Sequence, residues 1–298
     1  MPNVLVIIVT FNALKWIGRC LKSLEKSTLR SDVVVIDNGS TDGTLPLIRT
    51  DYPGTRIIET GENLGFGAAN NLGLRLALDG GYQFAYLLNQ DAWLEKDTLE
   101  KLVAAHKPEW GILSPVQLDA RGRRDKQFDK KCGRYVDAAL SGYHNERLVV
   151  EVPFVMAAHW LVSRKAIETV GGFSPAFRQY GEDDNWIHRL HWHKLLCGVV
   201  PAASAVHDRA GRRLPREKKM QLKCIATIVK VSDPNRSWDW MRVREVIELV
   251  GMGIKNLSAI PWRFIPELRA RFPELKAYRD ASMEKGAFLP PEIPINED

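Results

Sequence analysis

Apolar runs and amphipathic segments alternate along the first third of the chain. The run "NVLVIIVT" at residues 3–10 is continuous and rich in β-branched residues, which predicts a strand buried on both faces and covered by helices. Further strands are predicted in "DVVVID", at residues 56–59 and in "FAYLLN". A helical stripe after the first strand comprises Leu14, Ile17, Leu21 and Leu24. The alternation predicts an α/β fold: a Rossmann-like, mixed and mostly parallel sheet flanked by helices.

The second half of the chain is less regular. "LVVEVPFVMAAHWLVSR" indicates strands, "KAIETV" a short helix, and "YGEDDNWIHRLHWHK" an acidic loop that enters another helix. From about Pro215 the pattern becomes helical and amphipathic, and the chain ends in the Pro-rich "FLPPEIPINED". We therefore predict an α/β domain over residues 1–214 and a helical extension over residues 215–298 with a disordered tail.

Composition is that of an ordinary globular protein, with 45% hydrophobic and 26% charged residues among 298. No stretch reaches the roughly 18 to 20 apolar residues of a membrane span, and the N-terminus lacks the features of a signal peptide. We therefore expect a cytoplasmic protein. The cysteines form no CxxC pair, which favours buried free thiols over disulfides or a thiolate metal site.

The formal net charge of +6 comes largely from two segments. Residues 119–134 hold seven basic against three acidic side chains, and residues 207–219 hold six against two. The first segment contains glycine and lacks periodicity, so we predict a mobile loop with solvated charge. Neither segment interleaves aromatic residues at regular spacing, which argues against a nucleic-acid partner.

Polar side chains follow the predicted strands at the points where they end. Because ligands of open α/β sheets bind at the carboxyl ends of the strands, these side chains predict a ligand site along one edge. Any one of them has an ordinary alternative, since Asn and Asp also start turns and cap helices. Their coincidence on one edge favours the ligand site. The residues are Thr10, Asn12, Asp37, Asn63, Asn71, Asn89 and Asp91.

Five segments resemble, in order, the motifs of the inverting nucleotide-sugar glycosyltransferases of family 2, which have the GT-A fold. They are "VTFN", "VIDNGSTDGT", "NLGFGAANNLGL", "LLNQDAWL" and "GGFSPAFRQYGEDDNW", and together they extend over roughly residues 4–210. The form "GFGAANN" is similar to rhamnosyltransferase-like members, which hints at dTDP-rhamnose as donor.

The resemblance implies roles in donor binding for the first strand ends. Thr10 and Asn12 would line the base and ribose, and Asp37 would accept a hydrogen bond from the N3–H of uracil or thymine. The segment from Asn63 to Asn71 would pack under the ribose and the sugar.

The resemblance also implies a site for Mg²⁺ or Mn²⁺ bridging the donor diphosphate. "NQD" stands where the family has its Asp-any-Asp motif, so Asp91 would bind the metal and Asn89 the ribose or a metal-bound water. His207 would complete the site, with a packed imidazole as the alternative. Basic side chains, among them Arg209 and Arg212, would stabilise charge on the departing diphosphate.

In "GEDDNW" the resemblance assigns the general base to Asp183, which would deprotonate the acceptor hydroxyl, and the positioning of the acceptor to Glu182. Carboxylates at a helix start could instead serve only the helix dipole. Trp186 is expected in the core or as an acceptor platform.

These implications predict an inverting transfer from a UDP- or dTDP-sugar to a glycan or lipid-linked acceptor in cell-surface polysaccharide synthesis. The alternative is a membrane-surface or scaffold protein of a polysaccharide assembly, with a non-catalytic GT-A domain. Both readings include peripheral contact of the Trp-rich C-terminal helices with anionic lipid at the inner face of the membrane. A nucleotidyltransferase is disfavoured, because the Gly-rich basic signature near the first strand is missing.

Overall fold

A computed structural model describes residues 3–141, 148–209 and 214–292. The strands are β1 (Val4–Thr10), β2 (Asp32–Asp37), β3 (Arg56–Glu59), β4 (Phe84–Asn89), β5 (Ala92–Leu94), β6 (Trp110–Leu118), β7 (Val150–Glu151), β8 (His159–Ser163) and β9 (Leu196–His207). The helices before residue 200 are α1 (Ile17–Glu25), α2 (Thr44–Asp51), α3 (Phe66–Asp79), α4 (Thr98–Ala105), α5 (Lys126–Phe128), α6 (Arg134–Ser141), α7 (Arg164–Val170) and α8 (Glu182–Trp192). The later helices are α9 (Arg216–Val231), α10 (Trp238–Asn256), α11 (Ile260–Ala270) and α12 (Phe272–Ala281).

The strands form one mixed sheet in the order β3-β2-β1-β4-β8-β6-β9-β5, with β7 added beside β9. The first four strands of this order run parallel, whereas β8 is antiparallel to both of its neighbours. The order reverses between β1 and β4, because the chain leaves β1 for β2 and β3 before it returns to the other side of β1. The predicted α/β sheet with flanking helices is confirmed.

The two faces of the sheet carry separate apolar clusters, and β1 contributes to both. Leu5 and Ile7 pack into one cluster, and Val6 and Ile8 into the other. This alternation explains the uninterrupted apolar run of β1, because every second side chain is covered by helices on the opposite face. Of the predicted helical stripe, Leu14 lies before α1 and is 45% exposed.

The basic segment after β6 is helical, so the predicted mobile loop is wrong over its second half. A π-helical turn at Asp129–Gly133 joins α5 to α6 in one helical stretch. Phe128, Cys132 and Val136 recur every four residues on its inner face and are buried in the main core. That spacing is the sequence signal that the loop prediction missed.

The helical extension packs on the α/β domain through its own apolar cluster. Ala176 and Phe177, which precede α8, join side chains of α9, α10, α11 and α12 in that cluster. The predicted disordered tail is wrong for its first residues: Phe288 covers the guanidinium of the buried Arg189, and the Pro290 carbonyl accepts from Arg75 Nε at 2.8 Å. The rest of that tail, residues 293–298, lies outside the described residues.

Candidate active site

A cavity of about 740 Å³ opens at the carboxyl edge of the parallel strands. Strand ends form one wall, the segment before α8 forms the second, and the helical extension forms the third. The first wall contains Val9, Phe11, Asn38, Asn63, Gly65, Phe66, Asn89, Gln90 and Asp91. The second is residues 176–180, and the third contains Lys218, Ile225, Ile228, Phe264, Glu267 and Arg271.

The position of the cavity follows from the strand order. Val9 of β1 pairs in register with Asn89 of β4, so the ends of both strands meet where the order reverses. The connections leave β1 and β4 in opposite directions at that point, which opens a crevice between them. The predicted edge is therefore the edge where the cavity lies.

Thr10 and Asp37 are buried behind the cavity wall, and Asn12 is exposed outside the lining of the cavity, in contrast to their predicted contact with the nucleoside. Both carboxylate oxygens of Asp37 are occupied: Oδ1 accepts from Thr10 Oγ1 and Ser40 Oγ, and Oδ2 accepts from the N–H groups of Gly39 and Ser40. Asn12 Oδ1 accepts from the Thr41 N–H at 2.9 Å. These side chains hold the loop after β2 in place.

Asn38 faces the cavity in place of Asp37. Its Nδ2 donates to the Gly65 carbonyl at 3.3 Å, while its buried Oδ1 has no hydrogen-bond partner among the described residues. A buried amide oxygen without a partner loses the free energy of a hydrogen bond, so it favours a ligand that can donate one. Asp37 pairs in register with Thr10 of β1, whereas Val9, Phe11 and Asn38, each one residue further along or back, line the cavity.

Gln90 fixes the part of this wall that contains Phe11. Its side-chain amide accepts from the Phe11 N–H at 2.7 Å and donates to the Phe11 carbonyl at 3.3 Å. This two-point pairing ties the end of β1 to the turn after β4. Phe11 is 45% exposed, which leaves its ring available to a ligand in the cavity.

The Gly-rich segment divides into a cavity side and a core side. Asn63 lines the cavity, and its Oδ1 accepts from the Gly65 N–H at 2.9 Å. Gly65 has φ of +87°, and a Cβ there would lie 2.4 Å from the Arg178 carbonyl oxygen, so only glycine fits. Asn71 points the other way and clamps both backbone groups of Phe173, so it does not contact the cavity as predicted.

Asp91 lines the cavity, and His207 is buried beside it. His207 Nε2 lies 3.4 Å from Asp91 Oδ1, and both side chains are buried. Arg209 Nε donates to His207 Nδ1 at 3.0 Å, which places the imidazole proton on Nε2, facing Asp91. The proximity of Asp91 and His207, in residues separated by more than a hundred positions, follows from the antiparallel pairing of Ala92 in β5 with His207 in β9.

A divalent cation fits Asp91 and Asn89 better than it fits His207. Asn89 Oδ1 is buried and has no partner within the described chain, and with Asp91 it offers two oxygen ligands of the kind that Mg²⁺ and Mn²⁺ prefer. His207 could bind a cation only after its proton moves to Nδ1 and Arg209 turns away. Over residues 3–141, 148–209 and 214–292, no group of three or more His, Cys, Asp and Glu side chains is arranged to hold a metal ion.

The carboxylates Glu182, Asp183 and Asp184 form the first turn of α8. Asp183 is partly exposed, and its Oδ1 accepts from the Asp184 N–H at 2.9 Å. Glu182 is buried against the start of α3, and its Oε2 has no partner in the described part of the chain. The three follow directly on the cavity wall at residues 176–180, although none of them lines the cavity itself.

Burial raises the pKa of all three carboxyl groups. The pKa of Glu182 rises to about 8, with a further contribution from the charge of Asp183. The pKa of Asp184 rises to about 7 for the same two reasons. Burial also raises the pKa of Asp183, while the N–H groups of Asp184 and Ala157 and the charge of Arg209 oppose that rise. The cluster thus holds protons near neutral pH, as a site of proton transfer requires.

The raised pKa of Glu182 predicts a pH-dependent gain in stability for Glu182→Gln. The folded protein retains this proton up to about pH 8, whereas the unfolded chain loses it near pH 4.5. The free energy of unfolding of the wild type therefore falls as the pH rises between these two values. We expect the variant to match the wild type at pH 5 and to exceed it at pH 9, by on the order of 3 kcal/mol in free energy of unfolding. Urea denaturation across this range measures the difference. The exposed Glu109→Gln is the control, and a difference independent of pH would contradict the assignment.

One further predicted residue does not join the site. Trp186 is buried in an aromatic cluster with Trp160 and Phe173, and its Nε1 donates to the Gly171 carbonyl, so it is a core residue and no acceptor platform. Arg212 lies outside the described residues.

A sheet with its cavity at the reversal of strand order, an aspartate at the end of β4 and an acidic helix start opposite defines a glycosyltransferase of the GT-A class. Solved structures of this class are similar in fold. The fragment TarS 1-349 from S. aureus superposes with a TM-score of 0.57 and 16% identity, over 81% of this chain and 68% of the fragment. The mannosyltransferase PcManGT from Pyrobaculum calidifontis, in complex with GDP-Man and Mn²⁺, superposes with a TM-score of 0.56 and 19% identity. The match covers 94% of this chain and 74% of the PcManGT chain.

Sequence comparison narrows the class to a family. The profile of glycosyl transferase family 2 matches residues 5–171. An N-acetylglucosaminyl-diphospho-decaprenol L-rhamnosyltransferase of Mycobacterium tuberculosis is 30% identical over 238 residues, which cover 70% of this chain and 78% of the relative. The dTDP-rhamnosyl transferase RfbF of Shigella flexneri is 27% identical over 69% of each chain. The chain belongs to glycosyl transferase family 2.

Proposed function

We propose that the protein is an inverting glycosyltransferase that moves a sugar from a UDP- or dTDP-linked donor to a glycan or lipid-linked acceptor in cell-surface polysaccharide synthesis. The observation that carries the proposal is one cavity bounded by Asn38, Asn89 and Asp91 on the strand side and by the segment leading into Asp183 on the other. Asp183 directly follows this second wall without lining the cavity itself, so we propose that the acceptor hydroxyl reaches it on the side away from the donor-binding strand ends.

The relatives favour dTDP-rhamnose and a lipid-linked acceptor. The names of two relatives give rhamnose as the sugar that they transfer, one of them from dTDP, and the name of one gives a diphospho-decaprenol acceptor. We propose the same substrate classes here, at the cytoplasmic side of the membrane. The identity of 30% to the mycobacterial enzyme extends over most of both chains, which supports the inference that the two share a substrate class as well as a fold.

Asn38 is proposed to read the nucleobase in place of Asp37. Because its Nδ2 is held by the Gly65 carbonyl, its free Oδ1 presents an acceptor to the cavity. Uracil and thymine carry an N3–H that can donate to it, whereas the N3 of cytosine is itself an acceptor. Phe11, exposed beside it, offers an aromatic face for the base.

Asp91 and Asn89 would hold Mg²⁺ or Mn²⁺, and the remaining positions would be filled by phosphate oxygens and water. Such a cation neutralises the diphosphate and stabilises the charge that grows on it as it leaves. Among the protein's own groups, Arg209 contacts His207, which lies beside Asp91, and it is proposed as the cation that assists there. Arg212 stays a prediction of the sequence in this role.

The proposed reaction is one displacement at the anomeric carbon. A carboxylate oxygen of Asp183 takes the proton of the acceptor hydroxyl while that hydroxyl oxygen forms the new glycosidic bond. The bond between the anomeric carbon and the diphosphate oxygen breaks in the same step, and the nucleoside diphosphate leaves with the bonding electrons. Glu182, buried behind Asp183, would set the position of that carboxylate and of the acceptor.

The helical extension is proposed to build the acceptor side of the cavity. Lys218 of α9 stands near the ring of Tyr180, and Phe264 and Arg271 come from or directly follow α11. This division supports the proposed domains, a GT-A domain over residues 1–214 and an extension over residues 215–298 that completes the site. Aromatic and cationic groups together suit a sugar carried on a phosphate.

Titration calorimetry with free nucleotides tests the donor proposal. We expect the wild type to bind dTDP or UDP, with Mn²⁺ present, more tightly than CDP, and Asn38→Ala to weaken dTDP and UDP binding by about 5- to 100-fold. Asp37→Asn is the matched control on the neighbouring residue. It should lower the melting temperature by loosening the loop after β2, with a smaller effect on discrimination between bases. Equal affinity of Asn38→Ala and wild type for dTDP would refute the assignment.

A further inference from the structure

Helix α10 exposes a continuous apolar stripe. Its exposed side chains recur at spacings of three, four and seven residues, which keeps them on one face, and the stripe continues past the helix end into the start of α11. We call it the apolar ridge. Its members are Trp240, Val243, Ile247, Ile254, Leu257 and Trp262.

The ridge is the second apolar face of α10, because the opposite face is already used in packing. Met241, Glu245 and Leu249 on that opposite face are buried. A helix that needed only to cover the domain would carry polar side chains on its solvent face. Contiguous exposed apolar surface of this kind marks an interaction site in soluble proteins.

The end of the ridge at Leu257 has an unfavourable backbone conformation. Leu257 is 94% exposed and adopts φ of +47°, a left-handed conformation in which glycine or asparagine normally ends a helix. A fully exposed leucine in that conformation gains nothing from packing within the protein. Gly253 shapes the same end, since a Cβ there would lie 2.2 Å from Trp262 Nε1, so only glycine lets the indole seat on α10.

Cationic side chains surround this end of the ridge. Lys255 and Arg263 are exposed on either side of Leu257, and Arg216 reaches the same turn by donating to the Asn256 carbonyl at 3.0 Å. Among the acidic side chains of α10, Asp239 pairs with Arg242 near the start of the helix, and Glu248 is exposed beside Ile247 near its middle. Apolar side chains with tryptophan at their margin and a basic rim are the composition of helices that lie in the headgroup region of a bilayer.

We propose that the apolar ridge docks the enzyme on an anionic lipid bilayer, with Leu257 and Trp262 inserted among the headgroups and Lys255, Arg263 and Arg216 against their phosphates. The ridge is convex and continuous along a helix, which suits a flat lipid surface better than it suits an extended peptide, which needs a groove or a sheet edge. No helix in the described ranges combines the length and apolar character that crossing a bilayer requires, so the docking is by the surface alone.

The ridge and the cavity share α11. Trp262 stands on the ridge, and Phe264 and Glu267, two and five residues further along α11, line the cavity. Docking through the ridge would therefore bring the acceptor side of the cavity to the lipid surface. This consequence rests on the proposed function, whereas the docking itself does not.

Co-sedimentation of the full chain with vesicles tests the proposal. We expect binding to vesicles of phosphatidylcholine with phosphatidylglycerol, and binding weakened by added salt and by omission of the anionic lipid. The double variant Ile247→Ser with Leu257→Ser should bind at least about tenfold more weakly. Leu140→Ser with Leu148→Ser removes two exposed leucines elsewhere and should bind as the wild type does. Lys255→Gln with Arg263→Gln should lose the salt dependence in part.

Three readouts decide between the occupants of the ridge. The proposal would be overturned if the ridge variant bound the anionic vesicles as tightly as the wild type does. It would also be overturned if the wild type did not bind them. A wild-type dimer in light scattering that the ridge variant converts to a monomer, without vesicle binding, would assign the ridge to a second copy of the chain. Calorimetric dTDP affinity unchanged in the ridge variant shows that the fold and donor site are intact, so a failed docking test leaves the proposed function standing.

Discussion

Asp183→Asn is expected to lower the rate of sugar transfer by about 10²- to 10⁴-fold. The amide cannot take the proton of the acceptor hydroxyl, but it keeps the size of the carboxylate and can still accept from the Asp184 N–H. Donor affinity should stay as in the wild type, because Asp183 does not line the cavity wall formed by the strand ends. Single-turnover transfer measured alongside calorimetric dTDP binding separates the two effects.

Asp184→Asn is the matched control, since it removes one carboxylate from the same helix turn. It should retain most of the activity. The charge of Asp183 raises the pKa of Asp184, and the charge of Asp184 acts on Asp183 in the same way. Removing the carboxylate of Asp184 should therefore let Asp183 ionise at lower pH. The acid limb of the plot of rate against pH should shift to lower pH in this variant. A near-normal rate for Asp183→Asn, or equal losses for both variants, would remove Asp183 as the base.

Asp91→Asn is expected to weaken binding of dTDP or UDP in the presence of Mn²⁺ by about 10- to 100-fold, the value of one charge-assisted contact. Transfer should fall at least as far, because the same contact stabilises the leaving diphosphate. The substitution keeps the side chain's shape beside His207, so the loss reports the charge. EDTA should reduce wild-type affinity in the same direction and have little further effect on the variant.

Asp125→Asn serves as the control for a buried aspartate outside the site. Its Oδ1 accepts from two N–H groups at the start of α5, and the amide oxygen of asparagine can accept from both, so the variant should keep donor affinity with only a small change in stability. Asn89→Asp provides the reciprocal test, since a second carboxylate beside Asp91 should tighten Mn²⁺ binding. Wild-type turnover that is unaltered by EDTA would contradict the metal proposal and leave Arg209 as the cation that serves the diphosphate.

The strands of the first domain could be predicted because their sequence pattern is dictated by burial. A strand covered on both faces must be apolar at every position, which Val4 to Val9 are, and the polar residues after it must start where cover ends. The same argument located the edge that carries the cavity. The helical segment after β6 was missed because charged side chains outnumber the apolar ones, although Phe128, Cys132 and Val136 keep a helical spacing.

Which side chain at each strand end faces the ligand was beyond the sequence. Asp37 and Asn38 are adjacent and both suit a nucleobase, and the choice depends on a loop that satisfies all of Asp37's acceptors and leaves Asn38 Oδ1 free. Asn71 and Trp186 likewise carry useful chemistry, yet the backbone of Gly171 to Phe173 engages both of them. Each case turns on a contact between segments far apart in the chain.

The sequence by itself determined the sheet, the site's edge and the chemical groups near it, because burial and strand geometry act on consecutive residues. Tertiary structure alone decided that His207 meets Asp91 through the pairing of β5 with β9, and that helices beyond residue 215 close the cavity. It also decided which apolar face of α10 the core covers and which it leaves to solvent. Periodicity reports that a helix has an apolar face; only packing reports what, if anything, lies against it.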